Sequence, residues 1–324
     1  MALPPVHVLI PVALLLMSSW SAWMLTVASR RTITHLPGFD GPLPIQFETG
    51  YVTVGESEEV NLFYYFMKSE RNPAEDPVMV WLTGGPGCSA LSGMVFEIGP
   101  LTFDVMASIG GGLPTLVYRP ESWTKVCNII FLDSPVGTGF SYSKTVKGYQ
   151  SGDFKSSRDV HTFIRKWYVE HPEFTSNPLY IGGDSYSGIT VPIVVQEVSN
   201  GIQEGVEPLL NLKGYLVGNP ATDVMFDYGS VIPYAHGMGL ISDELFESTR
   251  ESCGGEYVIP RNAECVKYVE AVYEGFLGIN TVHILEPLCF PAGPKPEQSV
   301  IMRRSLGEEA RKRHLGQPSP QECR

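Results

Sequence analysis

The chain has 324 residues, 43% of them hydrophobic, and a formal net charge of -12 at neutral pH. That apolar content in a mixed sequence excludes a disordered polymer and fits a globular protein of one large or two small domains. The acidic balance argues against a nucleic-acid binder, which needs a basic face, and the sequence has no long single-sign charge block and no obvious repeat.

The N-terminus reads as an address. Residues 8–16 are strongly apolar, the run continues with interruptions to Val27-Ala28-Ser29, and small residues at Ala22, Ala28 and Ser29 suit cleavage. Residues 1–29 are therefore expected to be a signal peptide. An uncleaved anchor is the alternative, because no Lys or Arg precedes the run, Arg30-Arg31 follow it, and Trp20 and Trp23 suit an interface. The short apolar core, broken by Pro11 and by serines, points to cleavage.

Further along, residues 51–54 and 61–68 read as a hairpin around Gly55-Glu56-Ser57, with apolar residues on both faces of the second strand. Residues 78–82 read as a buried strand, followed by a glycine-rich loop and a helix over 89–98. A second buried strand covers 128–132. Residues 153–170 form an amphipathic helix with Val160, Phe163, Ile164 and Trp167 on one face, stopped by His171-Pro172. Residues 179–181 form a strand, 189–195 an apolar helical run, and 212–217 the next strand. From Asp223 the pattern changes to short helices and loops without clear strands. Residues 287–296, containing Ala292-Gly293-Pro294-Lys295-Pro296, read as a loop or linker. The cluster Arg303-Arg304 with Arg311-Lys312-Arg313 reads as a solvated face. Strands alternating with helices predict a parallel sheet in an α/β fold.

Two motifs carry chemistry. Gly183-Asp184-Ser185-Tyr186-Ser187-Gly188 follows a strand and precedes a helix, the context of a nucleophile elbow. Ser185 is the candidate nucleophile, and the helix N-terminus behind it favours developing negative charge. The pattern departs from a strict G-x-S-x-G, because Ser187 takes the last position and Gly188 comes one later. Upstream, Trp81-Leu82-Thr83-Gly84-Gly85-Pro86-Gly87-Cys88-Ser89-Ala90 places glycines after a buried strand, where backbone N–H groups can point into a cavity. Gly85 and Tyr186 N–H are the expected oxyanion-hole donors. Either motif alone is also compatible with a plain turn; together they point to acyl-transfer chemistry.

With Phe131-Leu132-Asp133-Ser134-Pro135-Val136-Gly137-Thr138-Gly139-Phe140-Ser141-Tyr142, His171-Pro172-Glu173-Phe174, Gly218-Asn219-Pro220 and Leu240-Ile241-Ser242-Asp243, these segments resemble the serine carboxypeptidase family. Within it the sequence is most similar to plant serine carboxypeptidase-like proteins, in the branch of acyltransferases that use glucose esters as donors. The resemblance implies an α/β-hydrolase fold, with residues 30–222 as the N-terminal part of the core. Residues 223–324 would be a helical lid inserted above the sheet, where acyl-group specificity is set. It implies an acyl-Ser185 intermediate passed to water or to an acceptor hydroxyl, with no cofactor. The partners would be a small-molecule acyl donor and acceptor, or a peptide C-terminus. The peptidases carry Asn and Glu where this chain has Thr83 and Asp184, and those side chains help hold a peptide's terminal carboxylate. Thr83, Gly84 and Asp184 are thus expected substrate-binding residues with an altered grip, and a serine-type carboxypeptidase is the alternative function.

Six cysteines fit an oxidising compartment, so the protein is expected in the secretory pathway, extracellular or vacuolar. Cys127, in an apolar strand, reads as a small buried hydrophobe. The resemblance pairs Cys253 with Cys265 and Cys88 with Cys323, which leaves Cys289 with no clear partner. No C-x-x-C pair or histidine cluster suggests a metal site, and no Asn-x-Ser/Thr sequon is present.

A triad in this fold follows the order Ser, acid, His. The resemblance puts the acid and the His in strand-end loops beyond the lid, and the sequence stops near the lid's end. The final core strands, the acid and the base are therefore expected to be missing from this chain, and a truncated, non-catalytic product is a further class of function. Three histidines follow Ser185. His236 falls in the lid, His314 lies in the basic cluster, and His283 reads as a half-buried strand or helix position. Each is expected to be structural or solvated.

Overall fold

The computed structural model describes residues 30–55, 59–104, 114–281 and 283–285. The expected leader at 1–29, the linker at 287–296, the basic cluster, His314, Cys289 and Cys323 lie outside the described residues. The chain divides after Ala221 into two compact units.

The first unit is built on a mixed sheet. Its strands are β1 (Arg31–Ile33), β2 (Phe47–Val54), β3 (Val60–Met67), β4 (Val78–Leu82), β7 (Asn128–Leu132), β8 (Tyr142–Ser143), β9 (Leu179–Asp184) and β10 (Leu212–Gly218). Between β4 and β7 in the chain, β5 (Leu101–Asp104) and β6 (Thr115–Tyr118) form a separate antiparallel pair. The main sheet runs β1-β2-β3-β7-β4-β9-β10, with β8 paired to β3. β7, β4, β9 and β10 run parallel, and β1, β2, β3 and β8 join antiparallel. Both β4 and β7 are buried along their whole length. Their continuous apolar sequences suit strands covered on two faces. At one edge, β10 leaves Tyr215 and Leu216 exposed.

Two layers cover the sheet. α1 (Ala90–Ser92) runs into a π turn over Gly93–Glu97. Met94, Val95 and Ile98 from this segment share a core with Tyr65, Met79, Trp81, Ile129 and Phe131. α2 (Asp153–Glu170) and α3 (Ser187–Gln203) contribute Val160, Phe163, Trp167, Val191 and Val194 to a second core with Leu62, Phe66, Val80 and Ile181. Residues 78–82, 128–132 and 153–170 begin and end where the apolar patterns put them. The helix expected over 89–98 is instead a capped turn that widens into π geometry. Ser89 Oγ accepts from the Leu91 N–H at 3.2 Å, and π turns recur at functional sites.

The second unit holds α4 (Val224–Gly229), α5 (Val231–Gly237), α6 (Asp243–Cys253) and α7 (Ala263–Glu274). Side chains of Asp223, Ser242 and Asn262 cap α4, α6 and α7, each satisfying a backbone N–H of the first turn. Ile232, Ala235, Ile241, Tyr257 and Val272 make a small core, and a disulfide joins Cys253 to Cys265 across it. One expectation is corrected here. His283 is exposed and lies in a turn after α7, not in a strand or helix; its N–H donates to the Asn280 carbonyl oxygen at 3.1 Å. The apolar alternation around it imitates a half-buried element, but the Asn280 turn bends the backbone away from either ladder.

Candidate active site

β4 and β9 are parallel neighbours, with Leu82 opposite Gly183 at their C-terminal ends. The loop Thr83-Gly84-Gly85 and the turn Asp184-Ser185-Tyr186 therefore leave the sheet side by side. The carboxyl ends of strands are where open α/β sheets bind ligands.

Ser185 sits between β9 and α3 with φ 53°, a left-handed conformation costly for a residue with a side chain. The surroundings over-determine it. Its N–H donates to the Gly218 carbonyl oxygen at 3.0 Å, and its carbonyl oxygen accepts from Ala221 N–H at 2.8 Å and Gly188 N–H at 3.0 Å. A Cβ on Gly188 would lie 2.4 Å from the Ala221 carbonyl oxygen. This explains the offset motif. Ser187 turns inward and donates from Oγ to the Leu82 carbonyl oxygen at 2.8 Å, and the close approach to the 220–221 backbone falls one residue later, at Gly188.

The glycine loop touches this elbow directly. A Cβ on Gly84 would lie 2.7 Å from Ser185 Cβ and 2.7 Å from the Tyr186 nitrogen, so only glycine allows the two backbones to meet. Gly84 N–H donates to Asp184 Oδ1 at 3.4 Å, and Cys88 N–H donates to the Gly84 carbonyl oxygen at 3.2 Å. Among the described residues, neither Gly85 N–H nor Tyr186 N–H meets an acceptor. The Tyr186 phenol donates to Asp153 at 3.2 Å, which ties the residue after Ser185 to the start of α2.

Beside these donors lies an acidic pair. Burial pushes the Asp184 carboxyl up, against the pull of the Gly84 N–H. Glu97 is also pushed up, first by burial and then by the charge of Asp184, while Trp81 Nε1–H donates to it at 3.1 Å. Thr83 is buried, and its Oγ1 has no hydrogen-bond partner among the described residues. Two carboxyls raised toward their neutral form and an unpartnered hydroxyl can both accept and donate hydrogen bonds to a ligand. Glu97 was not picked out by sequence reasoning. The signal was there: it is the one acid in the otherwise apolar run Met94-Val95-Phe96-Glu97-Ile98 beyond the glycine loop.

No described histidine of the first unit hydrogen-bonds to Ser185. His236 Nε2 pairs with Asp243 Oδ1 at 2.7 Å and its ring stacks on Phe246 at 4.0 Å. His161 accepts from Arg165 Nε at 2.7 Å, and His171 pairs with Glu48 at 2.9 Å. Among the described residues no group of His, Cys, Asp and Glu could hold a metal ion. Cys127 is buried and its thiol is pushed up to about 12 by burial, as befits an inert core residue. Cys88 is exposed in the glycine loop; Cys323, the partner the resemblance gives it, lies outside the described residues.

The family model described as serine carboxypeptidase matches residues 37–320. Serine carboxypeptidase-like 3 of Arabidopsis thaliana is 54% identical over 265 residues, which are 81% of this chain and 60% of that protein. Serine carboxypeptidase-like 5 of the same plant is 51% identical over 268 residues, 83% of this chain and 61% of its own length. For serine carboxypeptidase-like 19 the values are 51% over 259 residues, 79% and 56%. The chain thus spans about 60% of the length of the curated relatives it matches. A crystal structure of Kex1(Δ)p, a prohormone-processing carboxypeptidase from Saccharomyces cerevisiae, superposes with a TM-score of 0.56. That match covers 71% of this chain and 53% of the other at 19% identity, a likeness of fold. The sheet and its covering helices are those of an α/β-hydrolase.

Proposed function

We propose that this chain, which belongs to the serine carboxypeptidase family, carries the nucleophile and oxyanion half of a serine acyltransferase site that takes glucose-ester donors. Ser185 Oγ adds to the donor's carbonyl carbon as its proton passes to a general base. The carbonyl oxygen, now negative, takes hydrogen bonds from Gly85 and Tyr186 N–H. The bond to the sugar oxygen then breaks, and that oxygen takes the proton. An acceptor hydroxyl, or water, attacks the acyl-Ser185 ester in the same way. The observation that carries this reading is Ser185 at φ 53°, packed against Gly84, with Gly85 and Tyr186 N–H groups that no described acceptor occupies.

Thr83, Asp184 and Glu97 support the donor class. Hydroxyls of a glucose ester can donate to these carboxyls, and the neutral form that burial favours in Asp184 and Glu97 can donate in return. The Cys253–Cys265 disulfide fits passage through the secretory pathway to an extracellular or vacuolar site. The helical unit is read as the family's lid segment. A second reading, a chain that binds substrate without turning it over, is favoured by the engagement of His161, His171 and His236 elsewhere.

The test is to incubate the full chain, made in an oxidising compartment, with a hydroxycinnamoyl-glucose ester and with a blocked dipeptide, beside a Ser185→Ala control. Acylation of Ser185, read by mass, with no dipeptide cleavage supports the acyltransferase reading and shows that a base acts on Ser185 within this chain. Faster dipeptide cleavage restores the carboxypeptidase reading. Binding of the ester without acylation, and no labelling by a fluorophosphonate, leaves the non-catalytic one, since labelling needs an activated hydroxyl.

A further inference from the structure

We infer that Asp133 is a positioning residue for the oxyanion donors: a buried carboxylate that locks the glycine loop after β4 to the loop after β7. The inference rests on reading Gly84-Gly85 as the oxyanion loop.

Asp133 immediately follows β7 and is fully buried. Its Oδ1 accepts from Ser89 Oγ at 2.7 Å and from Ala90 N–H at 2.8 Å, at the far end of the glycine loop. Its Oδ2 accepts from Phe140 N–H at 2.9 Å. The residue itself cannot drift. Its N–H donates to the Phe63 carbonyl oxygen at 3.0 Å, and its own carbonyl oxygen accepts from Ser141 Oγ at 2.7 Å. Ser141 Oγ in turn accepts from Phe63 N–H at 2.7 Å, so β3 anchors the whole assembly.

The loop needs such an anchor. Gly84, Gly85 and Gly87 give its backbone wide freedom, and at its near end it is held by β4. Without a fixed point at Ser89-Ala90, the span from Gly85 to Cys88 would rest on the packing of Gly84 against the elbow, the Gly84 N–H bond to Asp184 and the Cys88 N–H bond to the Gly84 carbonyl alone. A preorganised donor is what makes an oxyanion hole effective. A buried carboxylate without a paired cation is costly unless its oxygens are satisfied, and here donors on two separate loops satisfy them. Burial pushes the carboxyl up, and Phe140 N–H, Ser89 Oγ–H and Ala90 N–H pull it back. An Asn in this place has one acceptor oxygen and one NH2, so it can satisfy the Ala90 side or the Phe140 side but not both. The two sides of the lock are therefore separable by mutation.

The experiment is amide hydrogen exchange on the full chain, resolved by mass spectrometry, for the wild type, Asp133→Ala, Asp133→Asn and Ser185→Ala, with urea unfolding measured in parallel. Asp133→Ala is expected to speed exchange over residues 88–91 and 139–141 at least tenfold, while α2 and β9 keep wild-type rates. Asp133→Asn is expected to restore protection on one side of the lock, 88–91 or 139–141, and leave the other loosened. Unchanged exchange at 88–91 in Asp133→Ala overturns the inference, as does a uniform rise through α2, β7 and β9, the mark of a merely structural residue. Equal loosening of both loops in Asp133→Asn overturns it too. Should Asp133→Ala not fold, Asp133→Asn still tests whether the two sides separate, and Ser89→Ala, which removes one donor, must loosen 88–91 for the inference to stand. Where Ser185 acylation is measurable, Asp133→Ala lowers its rate tenfold or more without changing the half-saturating donor concentration. Ser185→Ala is expected to leave exchange at 88–91 untouched. Absence of Ser185-dependent acylation therefore counts against the acyl-transfer reading alone.

Discussion

The elbow after β9 and the glycine loop after β4 leave the same end of the sheet, yet they are held in place by different physics. The elbow is fixed by contact: Ser185 is bonded through its backbone to Gly218 and Ala221, and Gly188 is pressed against the Ala221 carbonyl. The loop is fixed by tethers, chiefly the hydrogen bonds from Ser89 and Ala90 to Asp133. A close-packed turn cannot yield without shifting the backbone beyond β10, whereas a tethered loop can loosen while the sheet stays folded. Damage to the nucleophile's seat should therefore appear as lost stability, and damage to the donors' seat as lost local order.

The largest effect should come from the elbow. Gly188→Ala places a Cβ 2.4 Å from the Ala221 carbonyl oxygen and 2.5 Å from Pro220 Cβ. Overpacking against backbone that cannot move aside is expected to cost about 3 kcal/mol in urea unfolding. Wild-type stability in this variant would show that the elbow yields, and the contrast with the loop would collapse.

A smaller effect sharpens the same point. Ser185→Gly and Ser185→Ala both remove the hydroxyl, but only glycine relieves the positive φ of 53°. Ser185→Gly is expected to be more stable than Ser185→Ala by about 1 kcal/mol, within the usual cost of a left-handed residue with a side chain. Equal stabilities would mean that the turn stores no strain.

The smallest effect tests where the two regions meet. Burial and Asp184 raise the Glu97 carboxyl in the folded state. The native chain then holds that proton more tightly than the unfolded chain. Wild-type stability falls as pH rises from the ordinary glutamate value of 4.5 through the raised one. Glu97→Gln has no proton to lose there, and its amide oxygen can still accept from Trp81. Relative to the wild type it should gain stability between pH 4 and pH 7, by a few tenths of a kcal/mol, of the order seen for changes outside the core. A stability difference that does not vary with pH would remove the electrostatic link between the π turn and the elbow.

Much of this molecule can be read along the chain, because its informative patterns are local. The apolar runs at 78–82 and 128–132 commit to buried strands, since a backbone with apolar side chains on both faces has to be covered on both. The spacing of Val160, Phe163, Ile164 and Trp167 commits one helix face to the core. Gly84 and the small residues around Ser185 mark backbone that must come close to something. What they come close to was decided only by the tertiary structure. That Gly188 faces Ala221, that Glu97 lies within reach of Asp184, and that Asp133 holds Ser89 all follow from the strand order, with β7 between β3 and β4, and β9 between β4 and β10. The short strands β1, β5, β6 and β8 gave no periodic signal because two to four residues are too few to carry one. His283 misled because apolar alternation specifies a face only when a partner strand is there to pair with it. Local sequence sets what each segment can be, and the packing of segments distant in the chain sets which of their polar groups meet.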